Sequence, residues 1–294
     1  MLLAAVCACV AAAGAAMIVD RALHRPRRAL TGAERTQAAH LAASLDAQLD
    51  TVSLAAGDGV PLQGWLFTPG HPNGTTVVLL HGITSNRADL LPMARLVVAE
   101  GYRALALDGR GHGDSGGELV TFGALEAGDT RQWVQWIGRR DPTGCVFVFG
   151  GSLGAAVALQ AADAPGVCGV IAQSGFASLR EIAFDRIGQQ LHTGPWLGRS
   201  VLRPGVEVGF LYARVRYGLD LGGAAATTAV ARPGPPILVI HGENDDNAPV
   251  RHAHLLQQAN PARVSLWIVP GGAHEGIGGA ERDARVLAFL AQRR

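Results

Sequence analysis

Gly150-Gly151-Ser152-Leu153-Gly154 is the stretch on which the fold turns. An apolar run over 145–149 precedes it and a helical pattern over 153–162 follows, so the pentapeptide falls where a buried strand bends sharply into a helix. The pattern G-x-S-x-G is cheap in a chain with 39 glycines, and it occurs a second time at Gly113-Asp114-Ser115-Gly116-Gly117. Context separates the two. Ser115 opens no helix and reads as a loop residue. Ser152 has the strand–turn–helix setting of a nucleophile, with flanking glycines that leave room for the helix to pack closely.

Outward from that turn the chain alternates. Residues 51–54 and 63–67 predict a leading hairpin turning at Gly57-Asp58-Gly59. The run 76–80 ends in His81-Gly82 and reads as a buried parallel strand. A helix over 88–99, a strand over 103–107, a helix over 125–137 and a strand over 167–172 follow. Strands over 237–240 and 264–269 come last, each followed by a helix. Strands alternating with helices at this spacing predict an α/β fold, a mostly parallel central sheet with helices on both faces. Between 176 and 232 no strand pattern occurs, and Trp196, Phe210, Tyr212 and Tyr217 lie among arginines and glycines. That segment reads as a helical lid; an ordinary surface excursion with a small core of its own fits the sequence equally well.

Composition narrows the function. With 294 residues, 48% of them apolar, the chain can bury a large core, and a formal charge of +1 gives no footprint for nucleic acid. Every basic side chain besides histidine is arginine. The absence of lysine excludes Schiff-base chemistry, lysine-dependent phosphate loops and Ser-Lys dyads. Cys145 and Cys168 read as small hydrophobes in buried strands, and no cysteine pattern suggests a disulfide framework or a metal site. No cofactor is implied.

Residues 1–19 carry no charged side chain, and Asp20, Arg21, Arg25, Arg27 and Arg28 follow. The length just suffices for a spanning helix, although eight of these positions are alanine. The sequence therefore predicts a transmembrane or signal-anchor helix over 1–19 and a basic juxtamembrane linker and helix over 20–50. The main domain would then occupy 51–294. Thr31-Gly32-Ala33-Glu34 has capping-box spacing within the linker. The positive-inside rule gives a single-pass membrane protein with its main domain in the cytoplasm; a cleaved signal, with a secreted or periplasmic product, is the alternative.

A serine hydroxyl becomes a useful nucleophile only when a base removes its proton. Among 10 histidines, His274 lies just past the final strand, on the same sheet edge as Ser152. His241 ends the preceding strand and reads as structural, and His81 and His112 are loop candidates of second rank. His252 and His254, two apart on a helix, cannot share a face as a metal pair. The orienting acid belongs after the preceding strand, where Asp245 and Asp246 are equivalent by position. Ser, Asp, His is the chain order expected where the nucleophile sits on a strand-to-helix turn of an α/β sheet.

The segments HGITSN, DGRGHGDSGG, GGSLG, HGENDDNAP and GGAHE resemble, in order, the motifs of the alpha/beta-hydrolase superfamily, nearest its serine aminopeptidase-like and acyl-hydrolase branch. The resemblance spans about 52–290. It implies a catalytic Ser152, Asp245 and His274, choosing Asp245 over Asp246 because HGENDDNAP resembles HGxxDxxVP, with Ala248 where the family carries valine. It implies an oxyanion hole from the N–H groups of Ile83 and Leu153, each donor being worth about 3 kcal/mol of barrier. It also assigns Asp108 and Arg110 to scaffolding. The expected reaction is hydrolysis of carboxylic esters or thioesters through an acyl-enzyme. Peptidase or aminopeptidase-like amide hydrolysis is the runner-up, and a catalytically dead membrane adaptor is a third reading. The expected partners are a small-molecule or lipid-like acyl substrate and, through the N-terminal helix, a membrane. Gly111-His112-Gly113-Asp114-Ser115-Gly116 also fits a dinucleotide fingerprint, but no helix opens inside that loop, as such binding would need.

Overall fold

In the computed structural model, residues 2–142 and 144–292 are described, and side chains from residue 13 onward. The elements run α1 (Leu2–Leu23), α2 (Gly32–Ser44), β1 (Ala47–Ala55), β2 (Pro61–Pro69), β3 (Thr75–Leu80), α3 (Leu91–Ala99), β4 (Arg103–Asp108), α4 (Glu126–Arg140), β5 (Cys145–Gly151) and α5 (Leu153–Gln160). They continue through β6 (Val167–Gln173), α6 (Leu179–Gln190), α7 (Trp196–Arg199), α8 (Arg203–Tyr217), α9 (Ala226–Ala231), β7 (Ile237–Gly242), α10 (Arg251–Ala259), β8 (Val264–Val269) and α11 (Ala280–Ala291).

The eight strands form one sheet in the order β1-β2-β4-β3-β5-β6-β7-β8. The sheet is mixed: β1 and β2 run antiparallel to each other, β2 runs antiparallel to β4, and the remaining pairings are parallel. Each alternate face of a central strand meets its own apolar layer. Val78, Leu80, Val146 and Val148 face one core with Trp133 and α5. Val77, Leu79, Phe147 and Phe149 face the other with α3 and Phe289. β3 is buried along its whole length, which is why its sequence shows no alternation of polar and apolar residues. The expectation of helices on both faces of a largely parallel sheet holds, with the hairpin β1–β2 supplying the antiparallel edge.

Residues 176–232 hold α6 to α9 and no strand. An ion pair and a hydrogen bond fasten this helical insertion to the sheet layer: Arg251 on α10 reaches Glu181 on α6 at 2.7 Å, and His252 Nε2 donates to Asp185 at 2.7 Å.

Two sequence expectations are corrected. Among the described residues no helix is long and apolar enough to cross a membrane, which overturns the single-pass membrane assignment. The C-terminal part of α1 is committed to protein instead. Leu23 is fully buried in the core, and Gly209 of α8 lets Val19 approach so closely that a Cβ there would lie 2.9 Å from it. The Asp20 carboxylate accepts from Tyr212 at 3.0 Å and Tyr217 at 2.7 Å. Two of the arginines that follow are engaged within the protein: Arg27 donates to the carbonyls of Ser115 and Gly117, and Arg28 pairs with Glu34 and Asp89. The second correction concerns Cys145 and Cys168, which are joined as a disulfide across the neighbouring strands β5 and β6, with Cα atoms 5.8 Å apart. Only the register of that strand pair reveals the bridge. The capping box forms as its spacing predicts, Thr31 Oγ1 accepting from the Glu34 N–H and Glu34 from the Thr31 N–H, and it starts α2.

Candidate active site

Ser152 stands at the junction of β5 and α5 with φ 54° and ψ −115°, a left-handed conformation that costs a non-glycine residue on the order of 1–3 kcal/mol. Its neighbours explain how the strain is held. A Cβ on Gly150 would lie 2.1 Å from the Gly154 carbonyl oxygen, and one on Gly154 would lie 2.3 Å from that of Leu80. Only glycine at both positions lets α5 start this close to β3. Gly151, by contrast, faces open space. The Ser152 N–H donates to the Gln173 carbonyl at 2.8 Å, tying the turn to β6.

The other members of the site come from the loops after β7 and β8. Glycine again permits the approach, since a Cβ on Gly242 would sit 2.4 Å from the Gly272 carbonyl oxygen. The loops are stitched by Asn244 N–H to the Gly272 carbonyl at 2.8 Å and Gly271 N–H to Glu243 at 2.9 Å. Through this contact His274 Nδ1 reaches Asp245 Oδ2 at 2.8 Å, and His274 Nε2 lies 2.9 Å from Ser152 Oγ. Asp246, its equal in the sequence, is exposed, whereas Asp245 is buried. Burial works against the Asp245 charge. Contacts from His241 and His274 and the bond from the Ala248 N–H outweigh it and hold the carboxyl well below the usual carboxylate range. Alanine in place of valine at 248 leaves the hold on the acid intact, because Ala248 meets Asp245 and His241 through its backbone.

Ile83 lies in the loop after β3. A Cβ on the adjacent Gly82 would be 3.5 Å from Ser152 Cβ, which measures how near the loop passes to the hydroxyl. Among the described residues, neither the Ile83 nor the Leu153 N–H is taken by a protein acceptor. Two histidines fix this loop. His81 Nδ1 donates to the Gly82 carbonyl at 2.7 Å while its Nε2 accepts from the Gly109 N–H at 3.1 Å. His112 Nε2 accepts from the Thr84 N–H at 3.2 Å. Both rings are thus spoken for as neutral imidazoles. Burial, aided by the neighbouring His112, pushes His81 down to about 3.

Asp108 and Arg110 bind within the scaffold. Asp108 pairs with the buried Arg87, and Arg110 grips Asp129 through two 2.7 Å bonds. Ser115 is fully buried, accepting from the Gln63 N–H at 2.9 Å and donating to the Asp108 carbonyl at 2.8 Å, so its hydroxyl is occupied. His252 and His254 part as their spacing requires, the first buried and the second exposed. A cavity of about 40 Å³ behind the turn, lined by His81, Asp108, His112 and Leu153, has room for a few waters and not for an acyl chain.

Sequence reasoning passed over Ser174. Buried at the end of β6, it donates from Oγ to the His274 carbonyl at 3.2 Å, while Gln173 Nε2 donates to the Ile277 carbonyl at 3.2 Å. Together they hold the loop that carries His274. A lone serine after a strand gives no signal of this; the partner is 100 residues away.

A mixed eight-stranded sheet, clad by helices on both faces and bearing a strained serine turn at its carboxyl edge, defines an α/β-hydrolase fold. The chain belongs to the alpha/beta hydrolase family, whose profile matches residues 77–289. It is 30% identical over 254 residues to the monoacylglycerol lipase of Mycolicibacterium smegmatis, covering 76% of this chain and 89% of that one. It is similar in structure to the Pyrococcus furiosus esterase Pf2001, with a TM-score of 0.71, 25% identity and coverage of 92% and 98%. The acetyl xylan esterase of Paenibacillus sp. R4, at TM-score 0.61 and 19% identity over 92% and 97% of the two chains, shares the fold.

Proposed function

We propose that this chain hydrolyses carboxylic esters or thioesters by way of an acyl-enzyme on Ser152. The observation that carries the reading is the unbroken relay Ser152 Oγ, His274 Nε2, His274 Nδ1, Asp245 at 2.9 and 2.8 Å. The esterase and lipase among the similar proteins support an ester in preference to an amide.

In this mechanism Ser152 Oγ attacks the carbonyl carbon as His274 Nε2 takes its proton. The ionised Asp245 stabilises the resulting imidazolium without itself accepting the proton. The N–H groups of Ile83 and Leu153 bind the oxyanion of the tetrahedral intermediate, and their aim at that oxygen is worth about 3 kcal/mol of barrier for each donor. Collapse of the intermediate breaks the bond to the alcohol or thiol, which leaves with the proton from His274. A water molecule then gives its proton to His274 and attacks the acyl carbon, and a second collapse releases the acid and returns the proton to Ser152.

Purified protein would be assayed on p-nitrophenyl esters of graded acyl length beside aminoacyl p-nitroanilides, and exposed to a fluorophosphonate probe. Esters should turn over, the probe should label Ser152, and Ser152→Ala should lower kcat by about 10⁴ to 10⁶ with folding intact. Full activity in Ser152→Ala overturns the reading, and faster turnover of the anilides replaces esterase by peptidase.

A further inference from the structure

The Asp245 carboxylate is held by more than its histidine. Oδ1 accepts from the N–H groups of Asn247 at 2.9 Å and Ala248 at 2.8 Å, and lies 2.9 Å from His274 Nδ1. Oδ2 has two neighbours, His274 Nδ1 at 2.8 Å and His241 Nε2 at 3.3 Å. His241, the penultimate residue of β7, is fully buried. Its Nε2 donates to the Ala248 carbonyl at 2.7 Å, while its Nδ1 is buried without a hydrogen-bond partner.

That orphan nitrogen fixes the state of the ring. A proton on Nδ1 would be a buried donor with no acceptor, costing about 1–3 kcal/mol, whereas a bare Nδ1 loses less. The Nε2–H of His241 therefore points to the Ala248 carbonyl, with Asp245 Oδ2 standing 3.3 Å from the same nitrogen. The two backbone donors fix Oδ1, and with it the plane of the carboxylate, only while the turn that carries them keeps its shape. His241, anchored in a strand, holds that turn through the Ala248 carbonyl.

We propose that His241 is a positioning residue: by holding the Ala248 carbonyl it keeps the 245–248 turn in shape, which sets the rotation of the Asp245 carboxylate and thereby the aim of His274 at Ser152. This rests on the reading of Ser152, Asp245 and His274 as the reacting relay. No substrate atom reaches His241, so its contribution belongs to kcat and not to substrate binding.

The test is a double-mutant cycle on full-length protein, read as kcat and KM on p-nitrophenyl acetate with thermal melts alongside. His241→Leu should lower kcat by about 10- to 100-fold with KM nearly unchanged, the range typical of groups that orient a functional ligand. His241→Gln carries an amide N–H to the place of Nε2 and should recover most of the loss. His241→Asn, whose shorter amide reaches only the place of Nδ1, should not. In an Asp245→Asn background the leucine substitution should cost little more, because the carboxylate it serves is gone. A loss of equal size in both backgrounds, or glutamine no better than asparagine, would overturn the role and leave His241 a core residue. If the leucine variant fails to fold, the comparison of glutamine with asparagine decides alone. Undiminished activity in Ser152→Ala or Asp245→Asn would instead remove the parent reading, which separates the two failures.

Discussion

Asp245→Asn is the substitution for which the contacts dictate the outcome most fully. Asparagine keeps the shape of the side chain but replaces one acceptor by a donor. Its carbonyl oxygen belongs where Oδ1 now meets the N–H groups of Asn247 and Ala248, since an amide NH₂ there would face two donors. The amide nitrogen then falls where Oδ2 stands, 2.8 Å from His274 Nδ1. To avoid N–H against N–H, His274 must move its proton from Nδ1 to Nε2. A protonated Nε2 cannot take the proton of Ser152 Oγ, which lies 2.9 Å away. The same change of tautomer in serine hydrolases lowers kcat by about 10⁴, equivalent to about 5 kcal/mol of barrier. Asp246→Asn, one residue along and exposed, should stay within about 0.5 kcal/mol of the parent in stability, with its rate unchanged. Initial rates on a p-nitrophenyl ester, with thermal melts to show that both variants fold, make the measurement. A well-folded Asp245→Asn protein that keeps a tenth or more of the parent rate, or an equal loss in Asp246→Asn, would refute the tautomer argument.

Two further outcomes follow from the turn and from the buried histidines. Gly154→Ala places a methyl 2.3 Å from the Leu80 carbonyl oxygen and 2.7 Å from that of His81, both backbone, and should cost about 3 kcal/mol or more with a fall in kcat. Gly151→Ala meets nothing within 4 Å and should be tolerated, so equal melting temperatures for the two variants would contradict the close-approach account. In acid, His81 makes stability depend on pH. The folded ring is held down to about 3, against 6.5 for an ordinary histidine, so below 6.5 the unfolded chain takes up a proton that the folded chain refuses. Stability is complete above that point and falls by about 1.4 kcal/mol per pH unit as pH drops through the window. Urea titrations between pH 7 and pH 4.5 read the slope, and His81→Asn should flatten it; an unchanged slope would show that other groups set it.

The fold was legible because its signals are local. A strand buried on both faces is a continuous apolar run, a close helix start demands glycine, and a helix N-terminus shows its cap; β3, Gly154 and Thr31 each carry one of these marks. What escaped was long-range. The disulfide needed the register of β5 against β6, since Cys145 and Cys168 are 23 residues apart with nothing between them to predict a pairing. Ser174 acquires meaning only when the loop after β8 is laid across β6. Position along the turn left Asp245 and Asp246 equivalent and only the resemblance of HGENDDNAP to a family motif chose between them; the carboxylate buried beside the imidazole is that of Asp245.

The N-terminal segment shows the same limit from the opposite side, where a marginal local signal pointed away from the structure. A run of alanine, leucine and valine is apolar whether it faces lipid or another helix, and hydropathy cannot tell the two apart. The charged residue at its end does. Asp20 lies within α1 itself, three residues before the helix ends, and its carboxylate is held by two tyrosines of α8 while Leu23 is fully buried in the core. An anchor whose last turn is spent in this way is part of the protein's own packing. α1 therefore bears on α8, α8 is tied to α6 through Arg180 and Glu207 at 2.8 Å, and α6 to α10 through Arg251. This chain of contacts runs from the C-terminal end of α1, at Val19 to Leu23, through the insertion to α10, which directly follows the Asp245 loop.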